Sequence, residues 1–232
     1  METQSQTHNK TQSTIYLATF AMLGFISGLP LMLLTSTLQQ WASESSCSQN
    51  QGLMISLVTL PYAAKPLLGY LVDSARLYRW LDYEQIFIGS AVLLAYVLHA
   101  MGNIASSSDS STLYMSVLQY ALFACLCSSC LDVVIDGMRV QIPARLLALS
   151  NAWSITAYRL ANITTGGLGW YAVKDHNWQF FSYTWKTTGL GWSGVFQLSA
   201  LCTMILSVCA VTLLYFLQTT PHALRTEKKP QI

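Results

Sequence analysis

Six long runs almost without charge divide this sequence, and this pattern is what most limits how the chain can fold. A helix needs roughly 20 predominantly apolar residues to cross the hydrocarbon core of a bilayer. Apolar residues make up 53% of the chain and charged residues only 9%, whereas soluble domains carry roughly 25% charged residues. The sequence therefore predicts an all-α membrane protein with six transmembrane helices. The six runs cover residues 14–38, 51–72, 85–104, 112–136, 148–173 and 193–217.

The segments between the runs predict the domain boundaries and the orientation. We expect residues 1–13 and 218–232 to be cytoplasmic tails that flank a transmembrane domain over 14–217. Cytoplasmic loops carry an excess of Lys and Arg. With a cytoplasmic N-terminus, the inner segments contain Lys10, Arg76, Arg79, Arg139, Arg145, Arg225, Lys228 and Lys229. The outer segments contain only Lys174 and Lys186. The sequence thus predicts both termini inside, and its positive net charge gives no indication of a nucleic-acid partner.

Charged residues also occur within the runs, where charge is costly. Lys65 lies in the second run, Asp132 and Asp136 close the fourth, and Arg159 lies in the fifth. A charge at the centre of a bilayer helix costs roughly 2.5–3.5 kcal/mol, so such residues usually face a bundle interior or a water-filled path. The two aspartates are four residues apart, about 40° around one helix face. Two cations and two anions at similar depth could neutralise one another, either along a solute or proton path or as a static network that holds helices together.

The sequence favours neither a metal site nor an enzyme. Cys125, Cys127 and Cys130 are two and five residues apart, and such positions on a helix do not share one face. An aspartyl protease needs two carboxylates that converge from opposing positions, but Asp132 and Asp136 lie on one helix. No Ser–His arrangement offers another mechanism. We therefore expect no catalysis, no metal and no cofactor.

Small residues and helix breakers are concentrated in the first two runs. Gly24 and Gly28 form a small-xxx-small pair, which permits close approach of a neighbouring helix. Pro30, Pro61 and Pro66 interrupt helical hydrogen bonding, which membrane helices tolerate where neighbours satisfy the freed backbone groups. This pattern is compatible with ordinary helix packing or with bendable helices that line a transport cavity.

The loop after the second run resembles a known transporter motif. Gly69 and Asp73, followed by Arg76 and Arg79, are similar to the G-xxx-D-R-xx-G-R-R loop of the major facilitator superfamily. Ser74 replaces the Arg that follows the Asp in that motif. The match is partial and concerns a loop that controls conformational gating in the superfamily.

Further motifs in order along the chain resemble the AmpG family of muropeptide permeases. The segments that carry this resemblance are Gly24-Phe-Ile-Ser-Gly-Leu-Pro30, Thr37-Leu-Gln39 with Trp41, Tyr62-Ala-Ala-Lys65, Leu131-Asp132-Val-Val-Ile-Asp136-Gly, Tyr158-Arg159-Leu160 with Gly166-Gly167, and Gly191-Trp192-Ser-Gly-Val-Phe196. Pro143-Ala-Arg145 stands where the family has an acidic E-E-R-G stretch. The resemblance extends to the first of the family's two six-helix halves.

The resemblance implies half of a major facilitator fold, a 3+3 inverted repeat, in the bacterial inner membrane. It implies a proton-coupled importer of anhydro-muropeptides for cell-wall recycling, with lipid, a proton and a small-molecule substrate as partners. Candidate substrate-binding or proton-coupling residues are Gln39, Lys65, Asp132, Asp136, Tyr158 and Arg159, and candidate gating residues are Gly69, Asp73 and Arg76. The alternatives are a truncated or split half-transporter that needs a second six-helix half or a self-dimer, and a transporter of another solute such as an acyl-CoA.

Overall fold

The structure, a computed structural model, is a helical bundle with one short β-ribbon. It describes residues 2–44, 56–77, 81–105, 110–140, 142, 144–174, 176–180, 183–187 and 189–219. The helices are α1 (Glu2–Met32), α2 (Leu38–Glu44), α3 (Leu60–Ala63), α4 (Lys65–Leu77), α5 (Tyr83–Ala105), α6 (Ser110–Arg139), α7 (Ala144–Ile163), α8 (Gly169–Val173) and α9 (Gly191–Thr219). The strands are β1 (His176–Phe180) and β2 (Tyr183–Thr187).

Among the described helices, the most extensive contact joins α1 to α7. Helix α1 also packs against α6 and α9, while α5 packs between α6 and α9, and α4 packs on α6. Gly28 lies so close to α7 that a Cβ atom there would be 2.6 Å from the carbonyl oxygen of Tyr158, and Gly24 lies equally tightly against Ser154. The small-xxx-small pair therefore does bring a neighbouring helix into close contact.

Helices α1 and α7 widen at the same level into single π-helical turns. These turns span Leu33–Thr37, which joins α1 to α2, and Thr164–Leu168, which joins α7 to α8. Thr37 Oγ1 donates a hydrogen bond of 3.1 Å to the carbonyl oxygen of Thr165, so the two turns are connected directly. Single π turns inside α-helices occur frequently at functional sites. Here they bring polar backbone from two helices together within the bundle.

The buried side chains form two apolar clusters. One includes Leu34, Leu98 and Phe196, and the other includes Leu23, Phe87 and Ile135. Along α6 the change from one cluster to the other falls between Cys127 and Leu131. Ser128 and Asp132 are one residue beyond these two positions, so the buried polar groups of α6 lie where the clusters meet.

Four helical segments of the described chain are long and apolar enough to cross a membrane. They are Ser13–Glu44, Tyr83–Ala105, Tyr114–Arg139 and Gly191–Tyr215. These correspond to the first, third, fourth and sixth predicted spans. The second and fifth predicted spans are also largely helical, but they are not among these four. The helices of the second span are short because Ala64 divides them, whereas the helix of the fifth span is long enough but less apolar. Six spans and the inverted repeat therefore stay predictions.

The β-ribbon departs from the all-α expectation. Strands β1 and β2 pair antiparallel with Trp178 opposite Trp185, in a segment that the sequence predicts to be a loop between the fifth and sixth spans. Aromatic residues and Thr, which favour strands, are frequent there. The start of the chain differs as well, because α1 already begins at Glu2 within the predicted tail. Most of the predicted C-terminal tail lies outside the described residues.

Candidate functional site

A buried carboxylate connects three helices at the level where the two apolar clusters meet. Asp132 of α6 lies 2.7 Å from the Nζ atom of Lys65 through its Oδ2 atom. Its Oδ1 atom accepts a hydrogen bond from the Ser27 hydroxyl of α1. The side chain of Asp132 is only 5% exposed, while that of Lys65 is 37% exposed. The pair thus has one buried anionic end and one cationic end that reaches the surface of the described bundle.

Lys65 is the first residue of α4 and directly follows a break between α3 and α4. Ala64 separates these helices with ψ of 7°, and Pro66 lacks the N–H group that would continue the helical hydrogen bonds. Tyr62, just before the break, lies with its hydroxyl 2.6 Å from Ser128 Oγ of α6. Its ring centroid is 5.1 Å from Lys65 Nζ, within the range of a cation–π interaction. The break therefore contacts α6 through two polar links one helical turn apart.

Asp136 takes part in a different interaction from its neighbour. It pairs with Arg139 on the same helix, with Oδ1 and Nη1 2.7 Å apart, and its side chain is 62% exposed. Arg139 also donates to Ser154 Oγ of α7 at 2.5 Å. The two aspartates therefore do not share one cation or one proton. The four-charge network expected from the sequence forms only in part, because a basic residue three positions along α6 is available to Asp136.

The two candidate residues of the fifth run, Tyr158 and Arg159, both lie on α7, but only Tyr158 is close to Asp132. Tyr158 is half-buried and lies close enough to Asp132 and Lys65 to interact with their charges. Arg159 is exposed, and it makes no ion pair with any residue that the structure describes. Gln39 is exposed on α2, and none of the described contacts joins it to the Lys65–Asp132 pair.

The candidate gating residues lie along α4. Gly69 is in ordinary contact with α6, since a Cβ atom there would be 3.9 Å from Val133. Asp73 accepts a hydrogen bond of 3.1 Å from the hydroxyl of Tyr83 at the start of α5. Arg76 lies in α4, but its side chain is outside the described part of the structure. Asp73 thus links two consecutive helices across their short connecting loop.

Three site residues emerge only from the structure: Ser27, Tyr62 and Ser128. Ser128 and Asp132 are four apart on α6, and Tyr62 and Lys65 are three apart across the break, so each pair faces one way. The sequence shows that spacing, but it does not single out these residues, because other polar residues occur in the same runs. It also does not indicate which helices pack against each other. Among the described residues no group of three His, Cys, Asp or Glu side chains is placed to hold a metal ion.

Known proteins resemble this chain over most of its length. An anhydromuropeptide permease of Escherichia coli strain K12 is 31% identical over 170 residues, which is 70% of this chain and 33% of the permease. A Haemophilus influenzae protein of uncharacterized function is 30% identical over 166 residues, 68% of this chain and 37% of that protein. A Rickettsia felis protein provisionally named transporter AmpG 4 is 26% identical over 164 residues, 68% of this chain and 39% of that protein.

These matches cover only part of each relative. The chain spans about a third of the length of the curated relatives it matches. No protein-family model matches the chain. The relatives with functional names are permeases or transporters rather than enzymes. Together with the four apolar helices, they support a multi-pass membrane protein that is similar to permeases over about 70% of its length.

Proposed function

We propose that this chain, which is related to the AmpG family over about 70% of its length, forms one wall of the substrate path in a proton-coupled importer of anhydromuropeptides. The observation that carries this proposal is the Lys65–Asp132 pair. An ion pair inside an apolar bundle is expensive to keep, and ionisable residues inside membrane segments usually mark a solute, ion or proton path.

Proton coupling is proposed for the carboxylate of Asp132. A proton added to this carboxylate removes the charge that holds Lys65 at 2.7 Å. The ammonium group would then lose its buried partner and turn toward the open side of the bundle, where it is already 37% exposed. Because the same carboxylate binds Ser27 of α1, its protonation would loosen contacts among α1, α4 and α6 together. That is the linkage between proton and conformation that a symporter needs.

The exposed polar side chains of this bundle require a facing wall. Transporters of the facilitator type bind substrate between two six-helix halves, each built from 3+3 inverted repeats, and alternate by rocking one half against the other. We propose that this chain folds as one such half with six spans. The facing half would be contributed by further polypeptide, whether on the same chain or on a separate one. Its site residues would include Lys65, Asp132, Tyr158 and Arg159.

The proposed orientation in the inner membrane places both termini in the cytoplasm. A phosphatase reporter, which is active only outside the cytoplasm, is expected to stay inactive when fused after Arg225 and to be active when inserted near Asp109. The reason is the excess of Lys and Arg in the segments assigned to the inside. Reporter activity normalised to protein level measures this. Activity at Arg225 together with inactivity at Asp109 would reverse the orientation and remove Asp73 from the cytoplasmic side.

Uptake by a chimera tests the proposed function. In the E. coli permease, the segment that matches this chain is replaced by the corresponding segment of this chain, in a host without its own muropeptide permease. We expect uptake of labelled anhydromuropeptide that stops when a protonophore removes the proton gradient. The chain of 232 residues expressed by itself is expected to give no uptake, since it supplies one wall only.

The chimera has an internal control in Gly89, where a Cβ atom would meet nothing within 4 Å. The Gly89→Ala chimera should transport as well as the parent chimera. A chimera that reaches the membrane at the level of the E. coli permease, yet imports no muropeptide, would contradict the proposed function. Uptake that persists without a proton gradient would contradict the coupling alone.

A further inference from the structure

The cationic side chains that the structure describes differ in whether they form an ion pair. Four Lys or Arg side chains lie within the part that the structure describes: Lys65, Arg139, Arg159 and Lys174. Lys65 pairs with Asp132 and Arg139 with Asp136, both at 2.7 Å, and Lys174 pairs with Glu44 at 3.4 Å. Arg159 makes no ion pair with a described residue. It is therefore the described cation that still has its full charge available to an incoming group.

The position of Arg159 on α7 shows where that charge is presented. The buried residues Ser154 and Ala161 face α1, where they meet Gly24 and Gly28. Successive residues are about 100° apart around a helix axis. Tyr158 is therefore roughly 60° around α7 from Ala161, and Arg159 is roughly 160° from it in the same direction, so Arg159 points further from α1. The charge thus lies on the exposed face of α7 that points away from α1, one residue beyond the tyrosine that is close to the Lys65–Asp132 pair.

The surroundings of Arg159 make an unpaired charge costly there. On the exposed side of α7 its neighbours one and four residues away are apolar and exposed, with Ile155 at 53%, Leu160 at 54% and Ile163 at 66%. A guanidinium group on such a face at bilayer depth requires an anionic or strongly polar partner. Arginine is suited to this because its planar group presents five donors and binds carboxylates through two parallel hydrogen bonds.

We infer that Arg159 binds a carboxylate of the transported substrate, and that Lys65 does not. The inference rests on the proposed function and adds the division of roles that the sequence left open between these two cations. The carboxylate of Asp132 already neutralises Lys65, so a substrate anion there would have to displace a buried partner. Arg159 needs no such exchange. The substrate class is accordingly an anionic solute, and its peptide carboxylate is the group that Arg159 recognises.

Binding to the full chain in lipid nanodiscs tests this inference with two probes. One is anhydromuropeptide with free peptide carboxylates, and the other is the same molecule with these groups converted to carboxamides. The unmodified chain is expected to bind the free acid more tightly. Arg159→Gln should weaken binding of the free acid by roughly 10- to 100-fold, as for loss of a charged hydrogen bond, and leave binding of the carboxamide unchanged. Arg159→Lys should retain part of the preference.

The ratio of the two dissociation constants is measured on one sample, so a general loss of folding cannot imitate the result. Lys174→Gln, which removes a positive charge from the Glu44 pair, is the matched control and should leave the ratio unchanged. If Arg159→Gln leaves the ratio unchanged, or weakens both probes equally, Arg159 takes its counter-charge from protein and the inference is wrong while the proposed function stands. If the unmodified chain binds neither probe, the same two measurements are made on the chimera, which supplies both walls of the path. A chimera that binds neither probe contradicts the proposed substrate, and the inference with it.

Discussion

Replacement of Lys65 by methionine is expected to destabilise the folded chain by about 3 kcal/mol, toward the lower end of the range for breaking a buried ion pair. The cost arises because Asp132, 5% exposed, would lose its cationic partner in a desolvated position, where it either stays charged at a penalty or takes up a proton. The lower end applies because Lys65 is 37% exposed and water already screens part of the interaction. Thermal unfolding of the purified protein in detergent measures the effect.

The double variant Lys65→Met with Asp132→Asn is expected to recover most of that loss. An amide at position 132 still accepts a hydrogen bond from Ser27, and no charge remains buried. Lys174→Gln is the matched control, since it breaks an exposed ion pair with Glu44 that is worth about 0–1 kcal/mol. If Lys65→Met alone is as stable as the unmodified chain, water or lipid headgroups satisfy Asp132, and the ion pair does not organise the bundle.

The contrast between the two aspartates shows how far sequence reasoning reaches. Their spacing of four residues placed both on one helix face, and the structure keeps them there. The partners could not be predicted in the same way. Lys65 meets Asp132 because α4 packs on α6, and this contact depends on how the whole bundle assembles. Asp136 pairs with Arg139 three residues away, which local spacing does predict, although its position at the end of a run suggested a role inside the membrane.

The irregular parts of the backbone could be predicted only in part. Prolines indicated that the second run would be interrupted, and the break at Ala64 lies between Pro61 and Pro66. Nothing in the residue types indicated that α1 and α7 would both widen into π turns at one level. In this bundle the two turns are joined by the hydrogen bond from the Thr37 hydroxyl to the carbonyl group of Thr165 on the neighbouring helix, a long-range contact that the local sequence does not reveal. The β-ribbon after α8 has strand-forming residues, but each strand is only five residues long, which is short for recognition by periodicity.

Gly28→Ala is expected to separate α1 from α7 and to destabilise the chain by about 1–3 kcal/mol, the usual cost of overpacking. The added methyl group would lie 2.6 Å from the carbonyl oxygen of Tyr158, and a backbone atom cannot move aside as a side chain can. The double variant with Gly24→Ala should be worse, because Gly24 is in similarly tight contact with Ser154. Unfolding temperature and the monodisperse fraction on size exclusion measure both.

Gly89→Ala provides the control that separates packing from helix propensity. Gly89 is in α5 and a Cβ atom there would meet nothing within 4 Å, so the substitution should be neutral or slightly stabilising, since alanine favours a helix by about 1 kcal/mol over glycine. The same chemical change thus has opposite expected signs at two helical positions. Equal effects at Gly28 and Gly89 would mean that α1 and α7 are further apart than the glycine contacts indicate. The positions given above for Tyr158 and Arg159 would then be wrong, because the contact between α1 and α7 determines which residues of α7 lie near Asp132 and which are exposed.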